Sequence, residues 1–166
     1  MTHEARPWME IPQYSHPDIA PAERCAAFGS TSRPKTKDFR VIDAIIFSIE
    51  LDLLEIRLIE LWLYVDVFLI LEGNVTFKGL PKSMIFQEHR ERFMGKSKDS
   101  IQRHHIFNDG ESKDVREGWT NEPATRQVIT NLLRDTIHAA DSDLIMESDV
   151  EEIPSASTIS LLRSCE

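Results

Sequence analysis

The residues best suited to do chemistry stand together at Asp149-Val150-Glu151-Glu152, directly after the apolar run Leu144-Ile145-Met146 and before Ile153-Pro154. Three carboxylates within four residues repel one another. Near a partly desolvated strand end that repulsion raises their pKa values or calls for a cation. A hard divalent ion such as Mn2+ or Mg2+ prefers oxygen ligands and relieves it. On an extended chain Asp149 and Glu151 alternate, which puts both on one side; they are the candidate metal ligands. Glu152 stays open between ligand, supporting hydrogen-bond acceptor and surface acid. A metal held there could bind phosphate oxygens and neutralise a departing diphosphate. The same tetrad also reads as a solvated acidic turn ahead of a C-terminal helix, and the pattern alone does not separate the two.

The elements that must position this tetrad are legible from periodicity. Val41 to Ile49 is a β-branched, nearly continuous apolar run, the pattern of a strand buried on both faces. Asp52-Leu53-Leu54-Glu55 has capping-box spacing and predicts a helix to about Tyr64, with Leu54, Leu58, Leu61 and Trp62 on one face. Val65 to Leu71 reads as a second buried strand, Glu88 to Phe93 as a short helix, and Ser100 to Phe107 as a third strand. Thr125 to Ala140 is a helix with Val128, Ile129, Leu132, Leu133 and Ile137 on one face. Asp143 to Ser148 is a fourth strand, and a short helix follows Pro154. Strands alternating with helices predict an α/β fold, a mostly parallel sheet with helices on both faces. Ligands in such sheets bind beyond the carboxyl ends of the strands, which points at Glu50, Glu72, Asn74 and Asp149 to Glu152.

Composition narrows the function class. The 166-residue chain carries 19 Lys and Arg against 28 Asp and Glu, a net charge of -9, which argues against holding nucleic acid through its phosphates. No apolar run reaches the roughly 18 residues of a membrane span, and Met1 to Arg24 lacks a signal-peptide pattern, so the chain as written reads as soluble and cytosolic. Residues 1–38, punctuated by Pro7, Pro12, Pro17, Pro21 and Pro34, read as an irregular arm. For Cys25 and Cys165 the expectation is two free thiols, a disulfide being the alternative.

Several blocks together carry a family resemblance. Glu50-Leu51-Asp52-Leu53-Leu54-Glu55-Ile56-Arg57-Leu58 resembles the opening signature of glycosyltransferase family 17, the family of β-1,4-mannosyl-glycoprotein 4-β-N-acetylglucosaminyltransferase. Val65 to Glu72 is similar to the family's second strand and Thr76 to Lys82 to the turn after it. Trp119, Glu122 and Arg126 keep the family's Trp-x-x-Glu-x-x-x-Arg spacing, and Ser148 to Pro154 resembles its Ser-Asp-Val-Asp-Glu-Ile-Pro block. Cys25 to Gly29 and the basic run after it look like the pre-domain segment of fungal members. Two departures stand out: Glu151 where the family has Asp, and Gln127 where it has Asn. The resemblance spans residues 24 to 166. It implies a GT-A-like fold, a UDP-GlcNAc donor, an N-glycan acceptor, Mn2+ or Mg2+, inverting transfer to a β-linked mannose, and a Golgi membrane setting. Family members continue further, into the half that binds acceptor. Residues 39–166 therefore read as the nucleotide-sugar-binding half, with the C-terminal part missing, and a non-catalytic remnant is the alternative function.

Other residues divide between chemistry and structure. Arg126 could reach a diphosphate as a bidentate donor or pair with Glu122 at i,i+4. Glu50 could face the nucleotide, and Glu72 could face it or cap a turn. Asp52 and Glu55 read as capping residues, and Trp119 as packing. Arg57 reads as exposed or paired with a neighbouring carboxylate. His104 and His105 cannot share a metal, since adjacent strand residues face opposite ways. Asn74-Val75-Thr76 matches an N-glycosylation acceptor, a chance match or family relic without an entry signal. A phosphohydrolase would carry its Asp-x-Asp nucleophile after the first strand, whereas here the acids follow the last.

Overall fold

A computed structural model describes residues 19–34, 39–76, 80–94, 105–108 and 121–166. In chain order the elements are α1 (Pro21–Ala27), β1 (Val41–Phe47), α2 (Leu51–Leu61), β2 (Val67–Glu72), α3 (Ile85–Glu88), α4 (Arg90–Met94), β3 (His105–Asn108), α5 (Asn121–Asp135), β4 (Leu144–Asp149) and α6 (Ala156–Ser164). Among the described residues four strands form one sheet in the order β3-β2-β1-β4, and its pairings are parallel.

The expected α/β architecture is therefore present, and its cause is visible in β1. As a central strand, all seven of its residues are buried, so it needs an apolar run rather than an alternating one. Alternate residues feed two cores. Val41, Ile45 and Phe47 join Phe68 and Ile70 of β2 beneath α2 and α6, whose Leu54, Leu58, Leu61 and Ile159 complete that layer. Ile42, Ala44 and Ile46 join Val67, Leu69 and Leu71 against Ile129, Leu133 and Ile137 of α5. Helices thus cover both faces, the arrangement expected of a GT-A-like domain.

Several boundaries differ from the sequence reading. α2 begins at Leu51 after Glu50, and no side chain caps it. Asp52 therefore lies inside the first turn, and the expected capping role of Asp52 and Glu55 is not realised; both pair with Arg92 of α4. α5 starts earlier than expected, because Pro123 is tolerated within a first turn. It stops before His138, whose positive φ of 51° breaks the helix. The Ala139 amide then returns to the Leu133 carbonyl at 2.8 Å. Of the expected strand Ser100 to Phe107, residues 100–104 lie outside the described residues, as do His104 and Trp119.

The N-terminal arm is not wholly irregular. Pro21 to Ala27 is helical, with Pro at the start where its missing N–H costs nothing. The expectation of two free thiols is also corrected. Cys25 and Cys165 form a disulfide with Cα atoms 5.5 Å apart, closing a sequence separation of 140. The segment after it lies antiparallel to the chain end: the amides of Thr31 and Glu166 each donate to the other's carbonyl at 2.9 Å, and the Arg33 amide donates to the Ser164 carbonyl at 2.8 Å. Sequence spacing could not show that the two cysteines meet, because their proximity is made by α1 docking on α6.

Candidate functional site

The carboxyl ends of β1, β2 and β4 share one edge of the sheet. Phe47 pairs with Glu72 of β2, and Ile46 pairs with Asp149 of β4. Because Phe47 and Ile46 face opposite layers, the Glu72 and Asp149 side chains leave the sheet on opposite sides. The acids that a linear reading gathers at the ligand edge are thereby divided.

Glu72 is fully buried. Its carboxylate accepts from the amides of Phe86 at 2.9 Å and Gln87 at 3.1 Å, and Lys82 Nζ lies 3.6 Å from it. These amides are among those an α-helix leaves unpaired at its start, so Glu72 caps α3. Glu50 accepts from the amides of Ser48 at 3.3 Å and Ile49 at 2.9 Å, closing the turn between β1 and α2. Lys82 reaches back to the Ser48 carbonyl at 2.9 Å and fastens the same turn to the loop after β2.

β4 ends at Asp149, and Val150 and Glu151 form a turn. Asp149 and Glu151 therefore do not alternate along an extended strand, contrary to the expectation. Val150 is a peg, 1% exposed, in the layer under α2 and α6. Glu152 folds back, its carboxylate accepting from the Asp149 amide at 3.1 Å. Glu151 is exposed on the turn. Asp149, with its side chain 34% exposed, faces α5, where Arg126 Nη2 lies 3.6 Å from its Oδ1. Arg126 Nη1 also lies 3.5 Å from Glu147 Oε1. Arg126 precedes Ile129 by three residues, so the packing of Ile129 on the sheet aims it at β4. The structure thus brings together Asp149 and Arg126, and commits Glu50, Glu72 and Glu152 to nearby backbone amides.

Arg57 is the residue that sequence reasoning undervalued. It is fully buried, as is Asp43 in the middle of β1. Its Nε donates to Asp43 Oδ2 at 2.9 Å, and its Nη2 to Asp43 Oδ1 at 2.7 Å and to Ser148 Oγ at 2.6 Å. Its Nη1 donates to the carbonyls of Asp149 at 2.8 Å, Glu152 at 3.1 Å and Val150 at 3.3 Å. All five guanidinium N–H groups are engaged. Burial pushes the Asp43 carboxyl up from its ordinary range, and the hydrogen bonds and charge of Arg57 oppose that push. Two sequence signals were available: Asp43 interrupts a doubly buried run, and Arg57 falls on the stripe of Leu54, Leu58 and Leu61.

The donor chemistry at the turn is oxygen only, which suits a hard cation. Among the described residues no group of three or more His, Cys, Asp or Glu could hold a metal ion. Two carboxylates are nevertheless a usual protein share for Mg2+, with substrate phosphates and water completing its shell.

The fold and this edge define the class: a parallel α/β domain with carboxylates gathered at the carboxyl ends of its strands, the end where such sheets generally bind ligands. A family model describes which one: glycosyltransferase family 17 matches residues 2–166, and the chain belongs to that family. It is thus a glycosyltransferase family member. No curated protein and no solved structure matches it. Among the described residues no helix is long and apolar enough to cross a membrane.

Proposed function

We propose that the chain binds UDP-GlcNAc with Mn2+ or Mg2+ and serves inverting transfer of GlcNAc to a β-linked mannose of an N-glycan, forming the bisecting branch. The observation that carries this reading is the Asp149 to Glu152 turn at the carboxyl end of β4, in a member of glycosyltransferase family 17. Asp149 and Glu151 would hold the metal. Bound there, the ion supplies positive charge against the departing diphosphate. Arg126, already beside Asp149, would donate to a diphosphate oxygen. Glu152 would act indirectly, by bracing the Asp149 amide, and Glu50 and Glu72 by shaping the loops of the same edge. The disulfide supports a secretory setting, since such bonds persist in oxidising compartments.

Calorimetry of UDP-GlcNAc tests the donor and metal assignments. Binding should require Mn2+ and be lost in Asp149→Asn. Equal binding without metal, or by the variant, sinks the metal assignment. A transfer assay on a biantennary N-glycan tests the reaction: a bisected product establishes it, and donor binding without product establishes a non-catalytic binder instead.

A further inference from the structure

The acidic turn is built around a cation that the chain itself supplies. Three carbonyls, from Asp149, Val150 and Glu152, converge on the single Nη1 atom of Arg57, all within 3.3 Å. Carbonyls so close in sequence meet at one point only if the backbone curls around it. The curl sends the main-chain oxygens inward to Arg57 while Asp149 faces α5 and Glu151 faces solvent. Arg57 is in turn immobilised from the other side by the bidentate carboxylate of Asp43, whose own place is set by the central strand. Ser148, the last inward-facing residue of β4, takes the remaining N–H.

From this we propose that Arg57 is a positioning residue for the strand-end site: it fixes the backbone of residues 148–152 so that Asp149 and Glu151 are presented in advance to a divalent cation. The inference rests on the functional reading above. Its chemistry requires arginine. A guanidinium offers five donors in a planar fork: two hold the carboxylate, one the hydroxyl, and the two on Nη1 are shared among three carbonyls, whereas an ammonium offers three from one point. A lysine at this position keeps a charge for Asp43 but releases the turn.

The decisive experiment compares the full chain with Arg57→Lys by amide hydrogen exchange and by titration with Mn2+ alone, read from the free-ion electron paramagnetic resonance signal. In the variant, the Glu152 and Ile153 amides should exchange faster while β1 and β2 amides keep their pattern. Mn2+ affinity should fall roughly ten- to a hundredfold, the loss seen when residues supporting metal ligands are removed. Unchanged turn exchange or unchanged Mn2+ affinity in the folded variant overturns the proposal. Should Arg57→Lys fail to fold, the unaltered chain still decides. Its Glu152 and Ile153 amides should open only with the β1 core, and exchange as fast as that of an exposed loop overturns the clamp. Failure of the functional reading looks different: the unaltered chain then binds no Mn2+, although its turn remains protected.

Discussion

Arg57 Nη2 and Asp43 Oδ1 lie 2.7 Å apart with both side chains wholly shielded from solvent. Two charges taken out of water are tolerated only because each satisfies the other's hydrogen-bonding capacity. Removing one partner strands the other. Asp43→Ala should therefore lower unfolding stability by about 3–5 kcal/mol, measured by urea denaturation. A change below about 0.5 kcal/mol, the size of an ordinary surface substitution, would show that the pair is not buried in solution.

The Cys25–Cys165 disulfide joins α1 to the residue after α6. Cross-linking so long a loop restricts the unfolded chain, worth about 5 kcal/mol in the chain-entropy description. A reductant should lower the thermal midpoint markedly and release the segment around Thr31 from Glu166. Intact mass after alkylation without reductant checks the bond directly: two added labels would mean free thiols and no staple.

Asp143 ties the start of β4 to the start of β1. Burial raises its carboxyl, but hydrogen bonds from the Arg40 side chain and from the amides of Ala140 and Arg40, with the Arg40 charge, hold it below its ordinary value of 3.8. A carboxylate depressed on folding stabilises the protein at pH above its unfolded value and loses that contribution as pH falls through the folded one. Asp143→Asn should thus cost about 2 kcal/mol at neutral pH. The gap between the two proteins should close progressively below about pH 4. Parallel stability curves down to the acid limit would refute the assignment.

Glu72 and Asp149 should separate stability from ligand binding. Glu72→Gln removes a buried charge from beside Lys82 and weakens the acceptor for the Phe86 and Gln87 amides. It should cost about 1–3 kcal/mol in denaturant unfolding. Asp149→Asn, on a side chain 34% exposed that pairs with Arg126 near the surface, should shift stability by less than about 1 kcal/mol while abolishing Mn2+-dependent donor binding. The opposite pattern, a stable Glu72 variant and an unfolded Asp149 variant, would reverse their roles.

Periodicity and composition by themselves determined the layer structure. A doubly apolar β1, an amphipathic α2 and α5, and β4 ending in acids are enough for a parallel sheet with helices on both faces, because side-chain period and burial are local consequences of residue order. The ordered blocks likewise pointed to the family from the sequence alone. Which acids meet which partners was decided only in three dimensions. Glu72 and Asp149 share an edge but leave the sheet on opposite sides, a matter of register. Glu50 and Glu152 turn back onto backbone amides, a matter of where a strand stops and a turn begins. Cys25 finds Cys165 through the docking of α1 on α6. Arg57 reaches Asp43 and the carbonyls of residues 149, 150 and 152 because a crossover helix lies over the sheet. Each of these depends on contacts between residues distant in sequence, and the free energy of a charge or a hydrogen bond is set by the partner and burial it finds there.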